Sequence, residues 1–128
     1  VLIETRREYS ADDEAALIEA VHGAVKQAFR IPASDRHVRL IAHQPHRFAC
    51  PPEMAQPDRC TLVSIDAFSG RSTEAKRALY RAIVERLEPF GIPPDHVSIV
   101  LREAPLANWG VRGGQAACDV ELGFDINV

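Results

Sequence analysis

Few residues in this sequence have types and spacing that could do chemistry. The chain opens VLIETRREYS, an apolar start with no methionine before it. A free α-amine on Val1 has an ordinary pKa of about 7.7–8.0. A general base works best when its pKa lies near the working pH, so this amine needs little adjustment to serve as one. Enclosure in an apolar pocket would lower it further, because lost hydration disfavours the ammonium form. Being primary, it could also condense with a carbonyl to a neutral imine. The plainer reading is a processed end standing in water. His43-Gln44-Pro45-His46 has H-x-x-H spacing, but the proline prevents the helix that would bring both rings to one side. No third ligand is evident, so no metal site is expected. Cys50, Cys60 and Cys118 are odd in number and lack metal-ligand spacing. They are expected to be inert thiols in a reduced, cytoplasmic setting. Arg112-Gly113-Gly114 reads as a hairpin turn rather than an anion cradle.

The elements that must position these groups come in two similar halves. Val1 to Thr5 predicts a strand. Ser10-Ala11-Asp12-Asp13 has capping-box form, and the stripe Leu17, Val21, Ala24, Ala28 predicts a helix that ends at Ile31-Pro32. Val38 to His43 predicts a second strand. The series repeats with a strand through Leu62, Val63 and Ile65. Gly70 breaks it, Ser72 caps a helix bearing Leu79, Ala82, Ile83 and Leu87, and a fourth strand runs from Val97 to Leu101. RIPASDRHVRLIAHQP aligns with GIPPDHVSIVLREAP. The expected architecture is one α/β (α+β) domain over 1–128, made of tandem duplicated β-α-β units at 1–43 and 60–103. A Pro-rich connector at 44–59 joins them and a tail follows at 104–128. Each unit joins parallel strands by a right-handed crossover. Two helices should cover one face of a four-stranded sheet. The strict alternation of VELGFDINV predicts a C-terminal strand with one buried face, pairing with a neighbouring subunit.

Three stretches, DAFSGRSTEAKRALYRAIVERL, GIPPDHVSIVLREAPLANWGVRGGQAA and IPASDRHV, together resemble the tautomerase superfamily. AVHGAVKQAFRIPASDRHV is similar to its malonate semialdehyde decarboxylase-like branch, whose chains are fused pairs of βαβ units. The resemblance implies a homotrimer. It implies chemistry on small 2-oxo, 3-oxo or unsaturated carboxylic acids: enol–keto tautomerisation, decarboxylation or hydration, with no metal or organic cofactor. An amino-terminal proline is that family's base or acid, and arginines hold the substrate carboxylate. Carried onto this chain, Arg71 matches the arginine after the helix-start glycine. Its planar fork suits a carboxylate, and the helix start favours an anion. Asp35 matches the acid that positions or activates water or substrate. His37 occupies a place often held by an aromatic. Trp109, with Val111 beside it, matches the pocket aromatic.

Three departures accompany the match. Val1 replaces the proline, Ser69 replaces a further arginine, and the first helix start reads Glu8-Tyr9 instead of Gly-Arg, with Arg6 or Arg7 as candidate substitutes. Valine keeps a usable amine but loses the ring that aims the lone pair. The resemblance therefore points to an enzyme of altered or weak activity. Against it stand a non-catalytic trimeric relative or small-acid binder, and a ferredoxin-like module with an antiparallel sheet. The net charge of −3 and scattered basic residues point away from nucleic acid and from anionic membranes. No apolar run reaches the ~18 residues of a membrane span, and no signal peptide is visible.

Overall fold

The computed structural model describes all 128 residues. Strand β1 (Leu2–Thr5) leads into helix α1 (Ala11–Phe29) and strand β2 (Arg39–Ala42). Strand β3 (Thr61–Phe68), helix α2 (Thr73–Leu87) and strand β4 (Val97–Ala104) repeat the series. Both helices start on serine caps. Ser10 Oγ accepts from the Asp13 N–H and Ser72 Oγ from the Ala75 N–H, each at 3.1 Å. Such caps satisfy donors that the first helical turn leaves free. Arg30 closes α1 in a left-handed conformation, φ 54°.

The sheet order is β2-β1-β3-β4. β1 and β2 are parallel, β3 and β4 are parallel, and β1 meets β3 antiparallel. A ferredoxin-like module would be antiparallel throughout, so that reading is excluded. Pairing repeats between halves: Leu2 faces Arg39 as Leu62 faces Ser98, and Ile3 faces Leu40 as Val63 faces Ile99. Duplication is thus visible in register as well as in sequence.

The period of two in each strand divides its residues between two faces. Ile3, Val63 and Ile65 lie under the helices and pack with Leu17, Val21, Phe29, Leu79 and Ile83. Leu2, Arg39, Ile41 and Val100 fall on the opposite, open face, where Ile41 and Val100 remain nearly half exposed.

Short 3₁₀ turns at Pro45–Arg47 and Pro57–Arg59 lie near the two ends of the Pro-rich connector. The tail alternates in burial as its sequence alternates, with Val120, Leu122, Phe124, Ile126 and Val128 half-buried and the residues between them exposed, yet it forms no strand within the chain. A strand requires a partner for its backbone groups, and this tail instead lies beside the start of α2. The Ser72 N–H donates to the Val128 carbonyl at 2.7 Å. Ahead of the tail, β5 (Gly110–Val111) and β6 (Gln115–Ala116) form the hairpin expected around Arg112-Gly113-Gly114.

Gly70 fits this junction closely. Its φ is +131°, and an added Cβ would stand 3.1 Å from both Asn127 Oδ1 and the Ile126 carbonyl oxygen. Gly70→Ala is expected to cost about 1–3 kcal/mol from backbone strain, read as a lower midpoint in chemical denaturation with an unchanged slope.

Candidate active site

A cavity of about 430 Å³ opens where β1 begins, between α1, the loop before β2, the end of β3 and the hairpin. Val1, Asp35, His37, Arg71, Trp109 and Val111 all border it. Val1 is held from both sides by one short segment. Its amine donates to the His37 carbonyl at 2.8 Å, and its own carbonyl accepts from the Arg39 N–H at 3.0 Å. The first bond restrains rotation about the N–Cα bond, the freedom that valine has and proline lacks. In the neutral amine, one N–H is committed to His37 and the lone pair is left with a restricted direction.

The amine's pKa lies below that of an ordinary terminal amine. Burial is the main cause, followed by the positive charge of Arg39, with Asp66 and Asp35 opposing. The cation acting on the amine is Arg39; Arg71 is not among the charges that shift it.

Arg71 is only 7% exposed. Its Nη1 donates back to the Phe68 carbonyl at 3.0 Å, closing the turn between β3 and α2. Its guanidinium carbon stands 5.0 Å over the Phe29 ring, a cation–π contact. Nε is buried with no partner. Burial pulls this guanidinium below its usual range, and Asp35, Glu103 and Asp125 pull the other way. A buried cation with an unmet donor is an arrangement that a bound anion would complete.

Asp35 sits in a turn, its N–H donating to the Pro32 carbonyl at 3.0 Å. It does not pair with Arg36, which is engaged by Glu19. The His37 ring Nδ1 stands 3.8 Å from its Oδ1. His37 contributes its carbonyl more than its ring, since the side chain is 91% exposed. Trp109 stands edge-on to Phe68, centroids 4.9 Å apart at 73°, and Phe124 of the tail stacks on Phe68 at 6.5 Å. Aromatic rings thus wall the cavity beside Arg71.

Neither proposed substitute arginine reaches the cavity. Arg6 donates to the Phe48 carbonyl at 2.8 Å and pairs with Asp58 at 3.1 Å, tying β1 to the connector. Arg7 lies 5.0 Å over the Tyr9 ring. Three titratable residues bordering the cavity escaped the sequence reading: Arg39, Asp66 and His22. His22 had a legible signal, since His22, Val25 and Phe29 share one helix face by their spacing. His43 stacks on Phe48 and meets Glu4 at 3.0 Å. No three His, Cys, Asp or Glu side chains come together as a metal site would require.

An amine of lowered pKa, a buried guanidinium, a carboxylate and an aromatic wall thus border one cavity. A family model described as tautomerase enzyme matches residues 35–112. A probable tautomerase of Ralstonia nicotianae is 34% identical over 53 residues, covering 41% of this chain and 76% of that protein. A solved malonate semialdehyde decarboxylase, described with decarboxylase and hydratase activities, superposes with TM-score 0.81 at 26% identity over 94% of this chain and 98% of that one. A fused 4-OT solved as an asymmetric trimer superposes with TM-score 0.81 at 18% identity over 92% and 95% of the two chains, a likeness of fold.

Proposed function

Because the chain belongs to the tautomerase superfamily, in its malonate semialdehyde decarboxylase-like branch, we propose that it is an enzyme moving protons on a small oxo or unsaturated carboxylic acid, with the Val1 amine as general base and acid. The observation that carries this reading is the amine of half-buried Val1, bonded to the His37 carbonyl, on the same cavity as Arg71 and Asp35. It applies to the form of the chain that begins at Val1, since in any longer form that nitrogen is an amide without a basic lone pair.

Arg71 takes the substrate carboxylate through a charge-assisted, two-pronged contact. The neutral amine then removes a proton beside the carbonyl and returns it elsewhere, giving enol–keto exchange. In its ammonium form it donates to a carbonyl oxygen and stabilises the enolate left as carbon dioxide departs from a 3-oxo acid. In hydration of an unsaturated acid, the Asp35 carboxylate draws a proton from the adding water while the Val1 ammonium gives a proton to the adjacent carbon. Trp109 and Val111 exclude bulk water and lie against the planar substrate.

A homotrimer belongs to the same reading. It is supported by the trimeric fold relative, by the apolar side chains on the open sheet face and by a tail whose alternation has no partner strand in its own chain. A cytoplasmic setting accords with the three unpaired cysteines.

The competing reading is a non-catalytic small-acid binder, favoured by valine at the proline position and serine at Ser69. It needs the anion anchor but not the amine. Val1→Pro separates the two. On the enol of a small 2-oxo acid, followed by ultraviolet absorbance, proline should raise turnover by up to about 10²-fold by fixing the lone pair. No gain in a variant that still binds the acid would favour the binder.

A further inference from the structure

The Pro-rich connector is held to the rest of the chain at few points. Arg6 grips it near both ends, donating from Nε to the Phe48 carbonyl at 2.8 Å and pairing through Nη1 with Asp58 at 3.1 Å. Between these anchors, residues 49–56 make one hydrogen bond to anything outside the connector: the Gln56 N–H donates to His96 Nε2 at 3.0 Å. The Met54 N–H is used within the segment, on the Pro51 carbonyl. Cys50 and Met54 are half-buried and the other residues of the segment are exposed. A segment with so little burial and a single outside bond opens readily.

His96 ends a short 3₁₀ turn, Pro94–His96, ahead of β4, and is only 2% exposed. Its two ring nitrogens have opposite roles. A backbone N–H can only donate, so Nε2 must offer a bare lone pair to Gln56. The ring proton then sits on Nδ1 and is donated to Asp95 Oδ1 at 2.7 Å. Both partners thus select one neutral tautomer. Asp95 is the one charged group bonded to the ring. On the surrounding elements, Asp58 is taken by Arg6, Arg59 by the Phe90 carbonyl and Arg86, in α2, by Gln27. Glu53, Glu85 and Glu88 are exposed and enter no ion pair.

We propose that His96 is a pH-sensitive latch on the connector: when its ring takes a proton at Nε2, the Gln56 N–H is released and residues 49–56 open. Imidazole is the side chain whose charge ordinarily changes between pH 5 and 8. An imidazolium donates from both nitrogens, so the second proton sets two N–H groups face to face where the Gln56 bond was. The Asp95 bond survives the same event and strengthens, because it becomes charge-assisted. Protonation therefore breaks one of the ring's two bonds and keeps the other, and the break falls on the connector. Arg6 still holds Phe48 and Asp58, so the opening stays between them, and Cys50 and Met54 become accessible. The latch is independent of the small-acid reading, since neither His96 nor Gln56 borders that cavity.

The test is amide hydrogen exchange of the intact protein by NMR, each rate divided by that of an unstructured chain at the same pH. From pH 8 to pH 5 the protection of the Gln56 amide should fall about tenfold, the loss expected for one hydrogen bond. The amides of Val63 and Ile65 in β3 should keep theirs. His96→Gln, whose side-chain oxygen accepts a hydrogen bond at every pH, should abolish the pH dependence at Gln56. A second measurement needs no variant: the ¹⁵N shifts of the His96 ring at pH 8 should show a bare Nε2 and a protonated Nδ1. Gln56 protection that does not change with pH, an equal fall in a folded His96→Gln chain, or a proton on Nε2 at pH 8 would each overturn the latch.

Discussion

Arg71→Met should lower kcat/KM on small oxo acids by about 10²–10³-fold, the loss of two charge-assisted hydrogen bonds at a buried site. Arg71→Lys should recover part of this, because a point charge replaces the fork. The diagnostic lies in pairing that loss with stability. Arg71 is buried, makes one recorded side-chain hydrogen bond, to Phe68, and leaves Nε without a partner. Methionine of similar volume relieves that unmet donor and should leave the melting temperature unchanged or raise it. A purely structural arginine would behave in the opposite way, with stability falling and kinetics little altered. Steady-state rates and thermal melts on the same preparations decide between the two.

The second large effect concerns the amine. A chain that keeps an additional residue ahead of Val1 should lose turnover by the 10²–10⁴-fold typical of removing a general base, since an amide nitrogen takes up no proton. Folding should survive, because the β1 pairing begins at Leu2. Rate against pH carries the same information. The folded amine has a lowered pKa, so its neutral form predominates from below the ordinary terminal-amine range upward. Proton abstraction should rise with pH along a limb whose midpoint lies below that of an ordinary terminal amine. Stability follows the same sign. Between the lowered folded pKa and the ordinary unfolded one, the unfolded chain binds more protons, so stability rises with pH through that window and falls on acidification.

Much of the scaffold was readable in the sequence because its signals are local. Ser10 and Ser72 announce their helices, the apolar stripes fix which helix faces turn inward, and two similar stretches betray a duplication that strand register then repeats. The tail was half readable. Alternation predicts which of its side chains are covered, but strand formation depends on a partner that alternation cannot supply. The site divides in the same way. Motifs singled out Val1, Asp35, Arg71 and Trp109, and all four border one cavity. Arg39 and Asp66 look like unremarkable charges on sheet residues, and they matter only because pairing sets β2 beside β1 and Arg102 beside Asp66. Arg6 misled for the converse reason: nearness in sequence to Val1 does not survive the claim that Phe48 and Asp58 make on it.

The central claim is that the first nitrogen of the chain is a partly desolvated base. Its direct test is titration of that amine in the folded protein, following the ¹⁵N resonance of labelled Val1 against pH. The account predicts a midpoint below the ~8 of a free terminal amine, moving upward when Arg39 becomes serine. A midpoint at or above that value, indifferent to Arg39, would contradict it.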